Sequence, residues 1–480
     1  MVNDYILTVG LEIHAELKTQ TKMFCDSKND PDEARPNVNV CPICMAHPGT
    51  LPVINREAVR HVLRVGAALG GTQAEYTEFD RKSYFYPDLP KGYQISQFEH
   101  PLVSGGVLNG IAVTRVHLEE DTARSQHAQN TGKTLVDYNR AGVPLMELVT
   151  EPVIHSAEIA ANFAKELQLV LRYLGAGEAN MEKGEMRVEA NISVAPEGQL
   201  GTKVEVKNLN SFRSMERAID YEYRRQSKLL ADGGVVRQET LGWDEAAQKT
   251  YPQRIKEGSA DYRYFPDPDL PKLVTSQCVG FSKDEIAQGL PALPQERRNR
   301  YLELGITADD AELYVREPFF GDFYDSVIAV GGWTMPEQFK LASNYVATDI
   351  VKLCRDYEKT ETKTTENLSV SPQNFALLVD MLCKKEVSSR GAKDILAIMF
   401  RDGGSPTLIA ERENLYQRGE TDDLLPVVRK ILADNSAVAE SVRSGKQEAV
   451  QFLVGQGMKA TKGSADPIAL RELILKEVQK

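Results

Sequence analysis

Leu11-Glu12-Ile13-His14-Ala15-Glu16-Leu17 alternates apolar and polar side chains without a break. A period of two is the signature of a half-buried strand. Leu11, Ile13, Ala15 and Leu17 then take one face, and Glu12, His14 and Glu16 the other. Side chains two apart on a strand point the same way, so a carboxylate and an imidazole are held side by side, as in a preorganised metal or phosphate site. A solvated sheet face carries the same pattern, so the reading rests on its recurrence.

The pattern recurs three times. From Ile111 to Glu120, Arg115, His117 and Glu119 oppose Thr114, Val116 and Leu118. From Met186 to Ser193, Arg187, Glu189 and Asn191 oppose Val188, Ala190 and Ile192. From Lys203 to Lys207, Lys203, Glu205 and Lys207 flank Val204 and Val206. Strands that carry carboxylates, an imidazole and cations on one face suit an acidic metal site rimmed by phosphate-binding groups. Glu147 departs from the alternation: it stands alone in Val143-Pro144-Leu145-Met146-Glu147-Leu148-Val149. A carboxylate buried without a partner costs several kcal/mol or takes up a proton. A cation or a charged neighbour removes that cost, so Glu147 is expected either to bind a metal or to form a structural ion pair.

A chain of 480 residues exceeds one core and points to two to four domains. With 42% hydrophobic and 26% charged residues it has a soluble globular composition. No apolar run is long enough to span a membrane. Met1-Val2-Asn3-Asp4 does not open a signal peptide or a transit segment, so the cytoplasm is the expected compartment. The net charge of −12 makes any nucleic-acid contact local. From Leu424 to Lys480, nine Lys/Arg stand against six Asp/Glu, a mildly basic tail that fits RNA contact or an ordinary solvated helical surface.

Six cysteines in such a chain do not suggest disulfides. Cys41-Pro42-Ile43-Cys44 has zinc-knuckle spacing, with Cys25 a third ligand and Asp26, His47 or a water as the fourth. Cys278, Cys354 and Cys383 are isolated and read as small core residues.

The first ~290 residues mix alternating strands with a few helices and no strand-helix-strand rhythm, which favours α+β with an antiparallel sheet. Helices are expected from Asn55 to Leu69, from Ser156 to Gly175 and from Ser211 to Gly233-Gly234. The second has the stripe Ile159, Phe163, Leu167, Val170 and Leu174. The third has Arg213, Arg217, Arg224 and Arg225, a solvated face or an RNA contact. After Pro291-Ala292-Leu293-Pro294 the chain reads as helices: Ser371-Pro372 as N-cap and N1, Ser388 or Ser389 starting the next, Lys359 to Asn367 a loop, and Gly403-Gly404-Ser405-Pro406 a hinge. Two apparent nucleotide motifs fail. Gly132-Lys133-Thr134 lacks the upstream glycine of a P-loop, where His127 stands. Gly455-Gln456-Gly457-Met458-Lys459-Ala460 lies in a run that reads as helix, with too little chain after it for a dinucleotide fold.

The aromatic, cation-rich loop Phe79 to Gln97 and the motif Asp261-Tyr262-Arg263-Tyr264-Phe265-Pro266 complete the set of unusual segments. Together with Val9-Gly10-Leu11-Glu12-Ile13-His14, Cys41 to Cys44, His117-Leu118-Glu119-Glu120-Asp121, Leu135 to Arg140, Val206 to Phe212, Phe452 to Gln456 and Lys459 to Gly463, they closely resemble the GatB family, the B component of the aspartyl/glutamyl-tRNA amidotransferases. The matching segments are spread over nearly the whole chain.

The resemblance implies a fold. A glutamine-synthetase-like α+β cradle domain is expected over 1–293, an all-helical domain over 294–404 and a small helical tail domain over 405–480, the last two holding tRNA. It also implies an activity. Glutamate misacylated on tRNA(Gln), or aspartate on tRNA(Asn), is phosphorylated by ATP and then amidated. The ammonia comes from a separate amidase, the A component of the complex, and a small C component ties the two together.

Carried onto these positions, the resemblance places Mg²⁺ on His14, Glu119 and Glu147, with Glu12 near it, and sets Lys82 and Lys91 where ammonia or phosphate is met. Arg187, Glu189, Asn191, Glu205 and Lys207 are expected to line the nucleotide site. The family's second cysteine after Cys25 is Ser27 here, so zinc on Cys25, Cys41 and Cys44 is held with a substitute ligand, held weakly or absent. The competing readings are a non-catalytic tRNA-binding scaffold and a zinc-stabilised structural protein. Neither has a use for Glu12, His14, Glu119 and Glu147 together.

Overall fold

The computed structural model describes residues 5–127, 132–255, 262–361, 368–417, 421–443, 447–461 and 465–479. The chain divides into two compact units, Met1–Pro294 and Gln295–Lys480.

The first unit is built on one large sheet, and its centre is the N-terminal strand Ile6–Glu16. On one side this strand pairs antiparallel with Pro144–Thr150, which pairs with Ile111–Glu120. On the other side it pairs with Met186–Ala195, followed by Val204–Leu209, Glu239–Asp244 and Lys249–Ile255. Alternation sorts the two faces. Leu11, Ile13, Val116, Leu118, Met146, Leu148, Val188 and Ala190 are buried on one of them. Helices Arg56–Ala68, Ala157–Tyr173 and Phe212–Ala231 pack on the strands and share this core. The polar face carries the opposite residues. A small sheet of Asp80–Ser83, Tyr93–Ser96 and Phe265–Pro266 lies against Ile111–Glu120.

The sheet is mixed rather than antiparallel throughout. Val204–Leu209 and Glu239–Asp244 pair in parallel. Helix Phe212–Ala231 connects them, and a crossover of that length returns the chain in the direction it left. The sequence shows this helix, but a single strand-helix-strand unit sets no rhythm.

The helix ends follow local chemistry. Asn55 accepts the amides of Glu57 and Ala58, Ser156 that of Ile159 and Ser211 that of Ser214. Gly70 and Gly175 leave the first two helices at φ +68° and +62°, where a side chain would be strained. Ile159 is not on the buried stripe but 45% exposed. Ala157, Ala160 and Ala164 fill the buried face instead, and Ile159 is one position off it. On the third helix Arg217 pairs with Glu245, and Arg225 with Glu222 and Glu239; Arg213 and Arg224 are exposed.

The second unit is helical. Ser371 caps Pro372–Cys383, and Ser388 caps Ser389–Asp402. Helix Val351–Glu361 runs into the segment expected to be a loop, because its polar end is made of good helix formers and carries an Asp356–Lys359 pair at 3.6 Å. Residues 362–367 of that segment, and Asp261, lie outside the described residues. Gly403 and Gly404, at φ +72° and +104°, turn the chain into helix Pro406–Arg412, which packs on the two preceding helices. A separate apolar core gathers Leu424, Val428, Leu453, Leu470 and Ile474. The Gly455–Ala460 segment lies inside helix Gln447–Ala460, which disposes of the dinucleotide motif. No helix among the described residues is long and apolar enough to cross a membrane.

Candidate functional site

Strand register lays out the polar face as rows. One row reads His117, Glu147, His14 and Arg187 across four neighbouring strands. The next reads Arg115, Val149, Glu12 and Glu189. Cross-strand partners share a face and lie within reach of one another, so residues far apart in sequence meet here.

His14 Nε2 lies 3.3 Å from Glu119 Oε1 and 3.5 Å from Glu147 Oε2. Glu147 is 8% exposed and its Oε2 also lies 3.2 Å from His117 Nε2. Burial alone would lower the His14 pKa, but its hydrogen bonds to Glu119 and Glu147 outweigh this and hold it well above the usual imidazole value. Burial would likewise raise both carboxyls. The charge and hydrogen bond of His117, then those of His14, hold Glu147 well below the usual range, and His14 does the same for Glu119. Each buried charge is therefore compensated, as the isolated acid in an apolar strand required.

The ligand atoms of His14, Glu119 and Glu147 lie within 4.8 Å of one another. One imidazole nitrogen and two carboxylates are a nitrogen–oxygen donor set that fits a hard or borderline divalent cation rather than a soft one. Glu12, Glu189 and Glu205 form a second group within the same limit. Asn191 donates to Glu12 Oε1 at 2.8 Å, Lys207 pairs with Glu189 at 2.7 Å and Glu205 at 3.4 Å, and Thr240 donates to Glu205 at 2.7 Å.

Both groups border one cavity of about 390 Å³. Lys82, Arg115, Arg187 and Lys207 bring positive charge to it, and Tyr84, Phe98, Tyr262 and Tyr264 form an aromatic wall. The Lys82 ammonium sits 5.0 Å from the Tyr262 ring centre. Burial opposes its charge, yet the fields of Glu119, Tyr264 and Glu147 raise its pKa, so it stays an ammonium. Arg187 is tied to Asp121 at 2.7 Å.

The structure thus brings Glu12, His14, Lys82, Glu119, Glu147, Arg187, Glu189, Glu205 and Lys207 to one cavity. Asn191 reaches it through Glu12. Lys91 is placed apart: its ammonium pairs with Glu120, and both border an adjoining cavity of about 260 Å³ that Cys25 and Cys44 also line. In sequence His117 is only one polar position on a strand. Its contact with Glu147 follows from a pairing that the sequence does not display.

The Cys25, Cys41 and Cys44 sulfurs also lie within 4.8 Å of one another, with Cys41 and Cys44 at 3.8 Å. Neither Asp26 nor His47 joins the group. Ser27 Oγ lies 3.8 Å from Cys44 Sγ, and the Lys22 ammonium, on a fully buried side chain, lies 4.0 Å from it. A hydrogen bond from Cys25, and then the charge of Lys22, lower the Cys44 pKa to about 4, while its bond to Cys44 and its burial raise Cys25. Three sulfur donors fit zinc, but the fourth corner is met by a hydroxyl and a cation.

Comparison with known proteins places the chain in a family. Residues 7–279 match the family model described as the GatB/GatE catalytic domain, and residues 332–478 match the GatB domain. The B subunit of the aspartyl/glutamyl-tRNA(Asn/Gln) amidotransferase from Synechocystis is 41% identical, with 98% of this chain and 97% of the relative covered. Its namesake from Thermus thermophilus is 42% identical, with 98% of each covered. The chloroplastic/mitochondrial B subunit of the glutamyl-tRNA(Gln) amidotransferase from Sorghum bicolor is 40% identical, covering 97% and 86%.

Proposed function

The chain belongs to the B-subunit family of the aspartyl/glutamyl-tRNA(Asn/Gln) amidotransferases, and on that premise we propose how its cradle works. It is the transamidating subunit of a glutamine-hydrolysing carbon–nitrogen ligase. The side-chain carboxylate of glutamate on tRNA(Gln), or aspartate on tRNA(Asn), is phosphorylated by ATP in the acidic cavity and then amidated. The observation that carries this reading is the convergence of His14, Glu119 and Glu147, each buried charge balanced, on a cavity that also holds cations.

His14, Glu119 and Glu147 are proposed to hold Mg²⁺, with Glu12, Glu189 and Glu205 as a second acidic group facing the same space. A bound cation would neutralise phosphate charge and bring the two anionic reactants together. The chain's own groups do the positioning. His117 fixes the Glu147 carboxylate, and Asn191 fixes that of Glu12. Lys82, fully charged beside Glu119, faces the space where a phosphorylated carboxylate would lie. Arg187 and Lys207 rim it. The aromatic wall keeps water from one side of the reacting groups.

Ammonia is proposed to arrive from the amidase (A) component, itself stabilised by the small C component, past the Lys91–Glu120 pair in the adjoining cavity. Zinc on Cys25, Cys41 and Cys44 is proposed as a weakened site. The division 1–293, 294–404 and 405–480 is retained as cradle, helical and tRNA-binding tail domains. The separate core at Leu424–Ile474 supports a distinct tail. The cradle is proposed to share the glutamine-synthetase fold, and the enzyme to act in the cytoplasm.

The test uses the assembled enzyme with ATP labelled on its γ-phosphate and each misacylated tRNA in turn. Without glutamine or ammonia, label should pass to the aminoacyl-tRNA; with ammonia, amide should form. A complex that binds both tRNAs but never transfers label would support the scaffold reading instead.

A further inference from the structure

Arg115 is the one half-buried cation of the acidic cavity whose charge is left unanswered among the described residues. Arg187 and Lys207 are bound to carboxylates, and Lys82 lies in the field of Glu119 and Glu147. Among the described residues the Arg115 side chain finds no hydrogen bond or ion pair, and its Nε is buried without a partner. A buried donor left unpaired costs free energy, and native proteins keep few of them.

Strand register explains why nothing nearby answers it. Its cross-strand neighbours are Val149 on one side and Ser104 on the other, neither of them acidic. The next acid in the row, Glu12, lies one strand beyond Val149 and already accepts a bond from Asn191. Glu151, past the end of the Val149 strand, takes the Thr114 hydroxyl. The floor of the cavity at Val149 therefore offers no polar group. It is flanked by Arg115 in its own row and by the His117–Glu147 pair in the next. A guanidinium presents a planar fork that suits a tetrahedral oxyanion.

We propose that Arg115 binds the terminal phosphoryl group of ATP over Val149, holding it beside the His14–Glu119–Glu147 centre from which it is transferred. This assignment rests on the reading of the cavity as an ATP site. It makes Arg115 a substrate-binding residue whose idle state is strained and whose loaded state is satisfied.

The test compares Arg115→Met, which keeps the stem, and Arg115→Lys, which keeps the charge, in the assembled enzyme. Affinities for MgATP, MgADP and AMP are measured by calorimetry. Arg115→Met should weaken MgATP at least about tenfold, the loss of one charge-assisted bond. It should weaken MgADP less and leave AMP unchanged, and Arg115→Lys should recover part of the MgATP loss. With no ligand present, Arg115→Met should melt at or above the wild-type temperature, since no native bond is removed. Unchanged MgATP affinity, an equal loss for all three nucleotides, or a lower melting temperature of the ligand-free variant would each overturn the assignment. If wild type does not bind MgATP, or if Glu147→Gln binds it as tightly, the ATP reading itself fails. If those controls hold and only Arg115→Met is silent, the error lies with Arg115 alone.

Discussion

Replacing Glu147 by Gln keeps the shape of the side chain and removes its charge. The Glu147 Oε2 receives His117 at 3.2 Å and His14 at 3.5 Å, inside a site only 8% exposed at this residue. A hydrogen bond to a charged group contributes about 1.5–3 kcal/mol, and these two are long, which places each near the lower figure. The Gln amide oxygen still accepts from one imidazole, returning about 1 kcal/mol. The net loss in metal-free protein is about 2 kcal/mol, or roughly 4 °C of melting temperature for a unit of this size. Relief of repulsion with Glu119 acts the other way but is the smaller effect, because His117 and His14 dominate the electrostatics of Glu147.

Chemistry should suffer more than stability. Losing one anionic ligand from a three-residue centre removes several kcal/mol of charge stabilisation, on the order of a thousandfold in rate. The assay is label transfer from γ-labelled ATP to misacylated tRNA by the assembled enzyme, run beside calorimetric melting in EDTA. Label transfer within about threefold of wild type, or a metal-free variant that melts higher than wild type, would refute the account of this centre.

Three further outcomes are expected. His61 is buried on helix Arg56–Ala68, and burial lowers its pKa from 6.5 despite its bond to the Lys18 carbonyl. The unfolded chain then binds the proton more readily, so the stability His61 contributes is present above about pH 6.5 and is lost as pH falls through its lower folded value. Denaturant melts of His61→Gln against wild type should diverge at neutral pH and converge in acid; a constant offset across pH would contradict this. A Cβ on Gly66 would meet Val103 Cγ2 at 2.4 Å, so Gly66→Ala should cost about 1–3 kcal/mol by overpacking rather than stabilise the helix, as read by urea midpoint. Ser27→Cys should bring a fourth sulfur to the Cys25–Cys41–Cys44 group and slow zinc loss to a chelator; equal loss rates would show that position 27 does not reach the metal.

The parts of this site legible in sequence are those set by local periodicity. Alternation at Leu11–Leu17 and 111–120 decides which side chains share a face, and Glu147 stands out because its neighbours are wrong for a charge. The caps at Ser156, Ser211 and Ser371 are readable because capping is a contact within a few residues. Long-range order is not readable. That His117 reaches Glu147, that Arg115 faces Val149, and that one sheet junction is parallel all depend on which strands pair, and pairing is decided by burial across the whole unit. Lys91 and Lys82 group together in a segment that reads in sequence as one loop, yet Lys82 lies on strand Asp80–Ser83 and Lys91 beyond it, and the two border different cavities.

The central position of strand Ile6–Glu16 bears on how the protein is made. It precedes every other strand of its sheet in the chain, and both of its partners, at 144–150 and 186–195, are synthesised long after it. Until then a strand with one apolar face waits with both edges unpaired, the condition under which nascent chains seek wrong partners. Pairing so remote in sequence also predicts slow folding. A nick within the strand would therefore cost the sheet its spine and displace His14 in one event.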